Sequence, residues 1–365
     1  MKILLIGKYP PMQGGIASKT YWLYKNLEKK GFEFKIVTWR DDIYSVQDLG
    51  DDADVIVVGE KSPPWHLPHT GLLPDRLTNA AAKIINSFAP DIVETNYLWP
   101  FSNTALLIAK MINKPLLIRH AGSDIQKFKS DPEFREILNF YFEKASVVVT
   151  NVTSRQVIEV KSRASEKIFC LPRYVPDPEI FKWNDTSKAY DISFAGKVNY
   201  HWDSKGLLLL LEVIKKRKLR ALFNIGGKYI NEILDLISSK GFDEYISVKS
   251  FVLPEKMPGF YAASRYVWCW DEGMIDDFSN IVWEATFCGV PCIINDAVLG
   301  RPETANLIKN FPHLIHHFSP SNICDFEFGE ERNQFIDNDK IKSILFNEYI
   351  EMNVDIYQKT FKINS

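Results

Sequence analysis

Short, continuous apolar runs alternate along this chain with longer segments of helical periodicity, and the alternation occurs twice. The spacing predicts first-half strands at Lys2–Ile6, Phe34–Thr38, Val55–Val58, Ile92–Thr95, Leu116–Arg119, Val147–Thr150 and Ile168–Leu171. Helical patterns fall at Ile16–Lys30, Leu73–Phe88, Phe101–Ile112, Pro132–Phe142 and Ser154–Arg163. A run such as Val147-Val-Val-Thr150 has no polar face, as a strand covered on both sides requires. Consecutive strands separated by helices pair in parallel, because a parallel neighbour is reached only through a crossover.

The pattern then pauses. Pro172-Arg-Tyr-Val-Pro176-Asp-Pro178 lacks three backbone donors and continues neither a helix nor a central strand. A linker is therefore expected over residues 172–189. The alternation restarts with strands expected at Ile192–Ala195, Ala221–Ile225, Ile246–Lys249, Tyr266–Trp270 and Cys292–Ile294. Helices are expected at Ser204–Arg217, Ile230–Lys240, Asn280–Phe287 and Lys340–Lys359. The fold class is α/β, with two Rossmann-like domains (1–172 and 190–340) and a last helical segment, 341–365. A chain of 365 residues suits that division. Two such domains make a cleft, and ligands of open α/β sheets sit outside the carboxyl ends of the strands.

Composition excludes several classes. The apolar and charged fractions, 46% and 25%, are those of an ordinary globular protein. A formal net charge of −2 gives no reason to expect a nucleic-acid partner. The five cysteines form no C-x-x-C pair, and four lie in or beside apolar runs, which fits a reducing cytoplasm. The apolar start Met1–Gly7 is too short for a signal peptide, and no run approaches the ~20 apolar residues needed to span a bilayer.

The loops after the strands carry the chemistry. Gly14-Gly15 follows the first strand and opens a helix, where backbone N–H groups and the positive helix end suit a phosphate; a plain strand-to-helix turn is the alternative. His120 ends the strand Leu116–Arg119 and begins a polar cluster with Ser123 and Asp124, suited to a sugar hydroxyl or phosphate. Lys197 and Lys205 flank the first strand-to-helix loop of the second domain. Two ammonium groups there answer the charge growing on a diphosphate leaving group. The densest signal is Asp276-Asp-Phe-Ser-Asn280-Ile-Val-Trp-Glu284-Ala-Thr-Phe-Cys-Gly-Val-Pro291. Asp277, Ser279 and Asn280 are N-cap types, so a helix starts near Asn280 and its first amides, 278–281, suit a phosphate. Glu284 then lies one turn inside, able to accept two ribose hydroxyls, and Asp276 faces a sugar from the loop.

These residues resemble the GT-B glycosyltransferases, specifically the large retaining group called family 4. The segment 276–291 is similar to that family's E-G-F-x-N-x-x-x-E-A-x-x-C-G-V-P signature at Phe278, Asn280, Glu284, Ala285, Cys288, Gly289, Val290 and Pro291. Gly14-Gly15, His120-Ala-Gly-Ser-Asp124 and the Lys197/Lys205 pair resemble its glycine loop, H-G-x-D segment and pyrophosphate cations. The resemblance implies two Rossmann-like domains facing across a deep cleft, with a C-terminal helix returning to the first. It also implies a metal-independent, retaining hexosyltransferase without a cofactor, using a UDP- or GDP-sugar donor. Glu284 would bind the ribose and Asp276 the donor sugar. Gly14, Gly15, Asp277, Phe278, Ser279, Asn280 and Ile281 would meet the phosphates, and the backbone at Phe251 and Val252 the base. His120 would lie beside the transferred sugar.

The chain departs from the pattern at Asp276 (usually Glu), Asp277 (usually Gly) and Lys197 (usually Arg, whose fork it lacks). Two other readings share the fold: a nucleotide-sugar epimerase, and a catalytically silent binding subunit. The Asp-x-Asp strings at Asp52/Asp54 and Asp337/Asp339 are poorly placed for a metal site. The first precedes a strand, at its amino end. The acceptor is expected on the first domain, a glycan or lipid-linked molecule in polysaccharide or glycolipid assembly. Trp65, His66, Trp99 and Phe101 are candidates to stack on it, or to touch the inner membrane face peripherally. Packed aromatics are the alternative.

Overall fold

The computed structural model describes residues 1–40, 54–59, 73–120, 122–151, 167–171, 174–184, 187–198, 203, 205–249, 252–271, 280–328 and 338–363. The chain divides into two compact units. The first comprises Met1–Arg173 and Glu348–Ser365, the second Tyr174–Met274 and Phe278–Asn347.

The first unit is built on β1 (Lys2–Ile6), β2 (Glu33–Trp39), β3 (Val55–Val58), β4 (Ile92–Thr95), β5 (Leu116–Arg119), β6 (Val147–Thr150) and β7 (Ile168–Cys170). They form one parallel sheet in the order β3-β2-β1-β4-β5-β6-β7. Every residue of β4 and β6 is buried, the apolar run of β6 as expected and β4 with its Glu94 included. The helix Leu73–Phe88 buries Leu77, Ala81, Ile85 and Phe88, one stripe at helical spacing. The helix Pro132–Lys144 starts where Asp131 accepts from the amides of Glu133 and Phe134, with Pro132 in the first turn.

The second unit repeats the plan with β8 (Tyr190–Lys197), β9 (Ala221–Gly226), β10 (Ile246–Lys249), β11 (Ser264–Trp268), β12 (Cys292–Ile294) and β13 (Ile315–His317). This parallel sheet runs β10-β9-β8-β11-β12-β13. In both sheets the chain works outward from a central strand to one edge and then returns to build the other side. The order therefore reverses between β1 and β4, and between β8 and β11. Loops leaving those strands part to opposite faces and open a crevice at the carboxyl ends.

The structure differs from the sequence expectations at several points. A helix at Gly122–Ser130 and the short strand β13 were not anticipated. The strand expected at Tyr266–Trp270 runs two residues earlier, Ser264–Trp268. The helix expected from Ser204 begins at Leu207, because Gly206 is left-handed at φ 61° and breaks the turn before it. From Tyr174 onward the expected linker packs into the second unit, burying Tyr174, Val175 and Phe181. The last helix runs Asp339–Lys362. The helix expected at Ser154–Arg163 lies outside the described residues.

Candidate functional site

At the carboxyl edge of the second sheet, a hollow is lined by Phe194, Ala195, Lys205, Trp268, Cys269, Trp270, Asp271, Ile281, Val298 and Arg301. It sits at the crevice between β8 and β11. Lys205 is placed from two sides. A Cβ on Gly196 would fall 2.9 Å from Lys205 Cδ, so the lysine stem lies directly on that glycine. The Trp268 indole N–H donates to the Lys205 carbonyl at 2.9 Å. Trp268 and Trp270 stack at 4.8 Å and 8°, and a Cβ on Gly206 would reach the Trp270 ring at 2.6 Å. Gly206 is therefore demanded by close approach, while a side chain at Gly196 would displace the lysine stem. Burial pushes the Lys205 ammonium below its ordinary pKa; the Asp271 carboxylate opposes that shift and the Arg301 charge adds to it.

Asp271 is itself held. Asn295, just after β12, donates to its carbonyl at 2.8 Å and accepts from its amide at 3.4 Å. Its Oδ2 accepts from Arg301 Nη2 at 3.0 Å. Lys205 and Ile281, both expected in the site, thus share one hollow. Arg301 and Asp271 were not expected there. Lys197 ends β8, next to Gly196, and does not line this hollow.

The helix Asn280–Phe287 begins where the N-cap residues predict. One turn in, Glu284 is 4% exposed, and Tyr261 Oη donates to its Oε2 at 2.7 Å. Burial raises its carboxyl to about 7, while the hydroxyls of Tyr261 and Tyr174 pull the other way. On the neighbouring loop, the Val252 amide donates to Asn224 Oδ1 at 3.2 Å. Asp276, Asp277, Phe278, Ser279 and Phe251 lie outside the described residues, as do Trp65, His66, Asp52 and Asp337.

In the first unit, Asn96 follows β4 and clamps the loop after β1. It accepts from the Lys8 amide and donates to the Lys8 carbonyl, both at 2.7 Å, and donates to Thr20 Oγ1 at 2.8 Å. That loop ends at Gly14, φ 120°, which precedes Gly15–Glu28, a helix with no side-chain cap. His120 is buried at the end of β5, its Nε2 2.7 Å from Thr150 Oγ1. With Lys19, Asn96, Arg119, Asn151 and Tyr349 it lines a second hollow, confined to this unit. Of the flanking cluster, Ser123 bonds Tyr97 at 3.0 Å and Asp124 accepts from the Leu98 amide at 3.1 Å. Arg119 is tied to the wholly buried Glu94, Nε to Oε1 at 2.8 Å, and Tyr357 donates to the other oxygen at 2.5 Å.

Phe101 is buried in the core, while Trp99 is exposed with its ring edge-on to Phe134. Asp54 pairs with Lys35 at 2.5 Å, away from the carboxyl edge. None of the five cysteines forms a disulfide among the described residues. Among the described residues no helix is long and apolar enough to cross a membrane.

Residues 18–154 match the glycosyl transferase 4-like family model. Solved structures of the same fold include sucrose-phosphate synthase from Thermosynechococcus elongatus, at 13% identity and TM-score 0.69, covering 99% of each chain. Anabaena HepE in complex with UDP and glucose matches at 14% identity and TM-score 0.66, covering 100% of this chain and 99% of that one. The chain has the GT-B glycosyltransferase fold. A putative UDP-N-acetylglucosamine 2-epimerase from Listeria monocytogenes shares it at 14% identity and TM-score 0.56, covering 98% of this GT-B chain and 97% of its own. No curated protein sequence matches the chain.

Proposed function

We propose that this GT-B chain is a retaining, metal-independent hexosyltransferase using a UDP- or GDP-sugar. One observation carries the reading. Lys205, laid across Gly196 and partly desolvated, opens onto the same hollow as Ile281 in the first turn of the helix that holds Glu284. A sugar nucleotide is a ribose diphosphate. Amides at the helix start and a lysine ammonium suit the diphosphate, and a carboxylate one turn deeper suits the ribose diol. Cleaving the sugar–phosphate bond leaves charge on the diphosphate, and a fixed ammonium in a dry pocket stabilises it without reorganising. The sugar is then attacked on the same face with help from that phosphate, and the acceptor hydroxyl's proton passes to it.

Lys197, Asp276, Asp277, Phe278, Ser279, Asn280, Phe251 and Val252 complete the proposed donor site. His120 and the Gly14-Gly15 loop, both of the first unit, are proposed to bind a sugar hydroxyl and a phosphate. The acceptor is proposed to be a glycan or lipid-linked molecule of cell-surface polysaccharide or glycolipid assembly, met at the cytoplasmic membrane face. The Anabaena neighbour bound to UDP and glucose supports a uridine donor. A panel of UDP- and GDP-sugars with product detection, with and without EDTA, tests the assignment. Loss of activity in EDTA would sink the metal-free step. Absence of any nucleotide binding would leave a silent subunit. The shared fold of the 2-epimerases sustains one alternative, which conversion of the donor without any acceptor would establish.

A further inference from the structure

We infer that Arg301 is a diphosphate-binding residue of the donor site, with Asp271 and Asn295 as its positioning residues. The inference rests on the donor-site reading above and deepens it.

Lys197 and Lys205 supply ammonium groups, which act on a diphosphate as point charges. A guanidinium instead offers a planar fork matching two phosphate oxygens. Arg301 brings one into the hollow from a different part of the fold, the loop after β12, rather than from the strand-end position of β8. Its fork is aimed by two bonds, Nε to the Ala297 carbonyl at 3.3 Å and Nη2 to Asp271 Oδ2 at 3.0 Å. Asn295 holds the Asp271 backbone through both N–H and C=O, which places the residue that bears the carboxylate. The guanidinium is largely covered, its side chain 12% exposed, so its field is little screened by water.

The neighbourhood also shows why a carboxylate is needed. Lys205 and Arg301 line one small hollow, and Arg301 makes the Lys205 ammonium harder to keep charged. Asp271 bonds one cation and favours the charge of the other, holding both together while no diphosphate is present. One carboxylate offsets only one of the two cations, so the hollow keeps a net positive charge for a nucleoside diphosphate. A nucleoside monophosphate lacks the outer phosphate on which the fork would close.

The test is calorimetric binding of nucleoside diphosphates (UDP, GDP, ADP) and their monophosphates to the full chain and to Arg301→Gln and Arg301→Lys. Arg301→Gln should weaken the preferred diphosphate ~10-fold or more and change the matching monophosphate less than ~2-fold. Arg301→Lys should recover part of the loss, since it restores charge without the fork. Thermal melting of the same samples checks folding, and Arg301→Lys keeps the test open if Arg301→Gln melts early. Equal losses for mono- and diphosphate, or no loss for either, would overturn the Arg301 assignment while leaving the donor site standing. Wild-type protein that binds none of the nucleotides would overturn the donor-site reading and this inference with it.

Discussion

Tyr261 Oη lies 2.7 Å from Glu284 Oε2, inside the second unit where both side chains are shut off from solvent. The hydroxyl lowers the cost of a buried carboxylate but does not remove it, and the acid stays raised at about 7. A carboxyl whose folded pKa exceeds its unfolded value stabilises the fold in its neutral form. That stability is fully present below the unfolded value, 4.5, and is lost as pH climbs through about 7. That difference corresponds to about 3 kcal/mol. Denaturant unfolding at pH 4.5 and pH 8 should therefore show Glu284→Gln gaining on the wild type as pH rises. Equal pH slopes in the two proteins would show that folding does not raise the Glu284 carboxyl.

The same pair makes a prediction for Tyr261→Phe. Removing the hydroxyl takes a donor from the carboxylate but leaves the protonated acid nearly untouched. The loss should be ~2 kcal/mol at pH 8, the scale of a hydrogen bond to a charged group, and smaller at pH 4.5. A loss independent of pH would mean that the ring's packing, not its hydroxyl, matters.

In the first unit, Gly7 and Asn96 constrain each other. A Cβ on Gly7 would sit 2.2 Å from Asn96 Oδ1, the atom that accepts from the Lys8 amide. Gly7→Ala should therefore destabilise strongly by pushing the amide away and loosening the loop after β1. Asn96→Ala removes the obstacle along with the clamp. In the double variant, Gly7→Ala should cost ~1 kcal/mol or more less than it does alone. Strict additivity of the two losses would refute the coupling.

Much of the scaffold was readable in the sequence because it depends on local signals. Val147–Thr150 and Leu73–Phe88 declare themselves by an unbroken apolar run and a single apolar stripe. The N-cap types before Asn280 place a helix over the stretch where Asn280–Phe287 is helical. What the sequence hid depends on partners far along the chain. Gly122–Ser130 begins with Gly-Ser-Asp and reads as a loop, yet Asp124 reaches the Leu98 amide, 26 residues away. β13 is three residues long, includes two histidines, and exists by pairing with β12. Arg301 joins the hollow through Asp271, 30 positions earlier, with no motif of its own to announce it. The Glu94–Arg119 pair was hidden likewise, because a glutamate within an apolar strand gives no sign of its partner.

That Glu94–Arg119 pair should hold the last helix to the first sheet. Glu94 is wholly buried and accepts from both Arg119 and Tyr357, which comes 263 residues later. Glu94→Gln would strand a largely buried guanidinium and should cost ~3–5 kcal/mol. Tyr357→Phe keeps the ion pair and should cost ~1–3 kcal/mol. Chemical denaturation of the two variants orders these losses, and an equal or reversed order would refute the central place of the ion pair.

Gly206 and Gly241 separate backbone strain from disturbance of the site. Both are left-handed, at φ 61° and 70°, so alanine costs ~1–2 kcal/mol at either. Around Gly241 nothing lies within 4 Å of the added methyl, whereas at Gly206 it would strike the Trp270 ring at 2.6 Å. Trp270 stacks on Trp268, whose indole N–H holds the Lys205 carbonyl, so the collision passes to the lysine that lies on Gly196. Gly241→Ala should thus lose stability and keep nucleotide affinity. Gly206→Ala should lose more stability and, at a temperature where it remains folded, bind nucleoside diphosphate ~10-fold or more weakly. Calorimetry on both variants decides it: equal affinities would mean that the tryptophan stack does not set where Lys205 points.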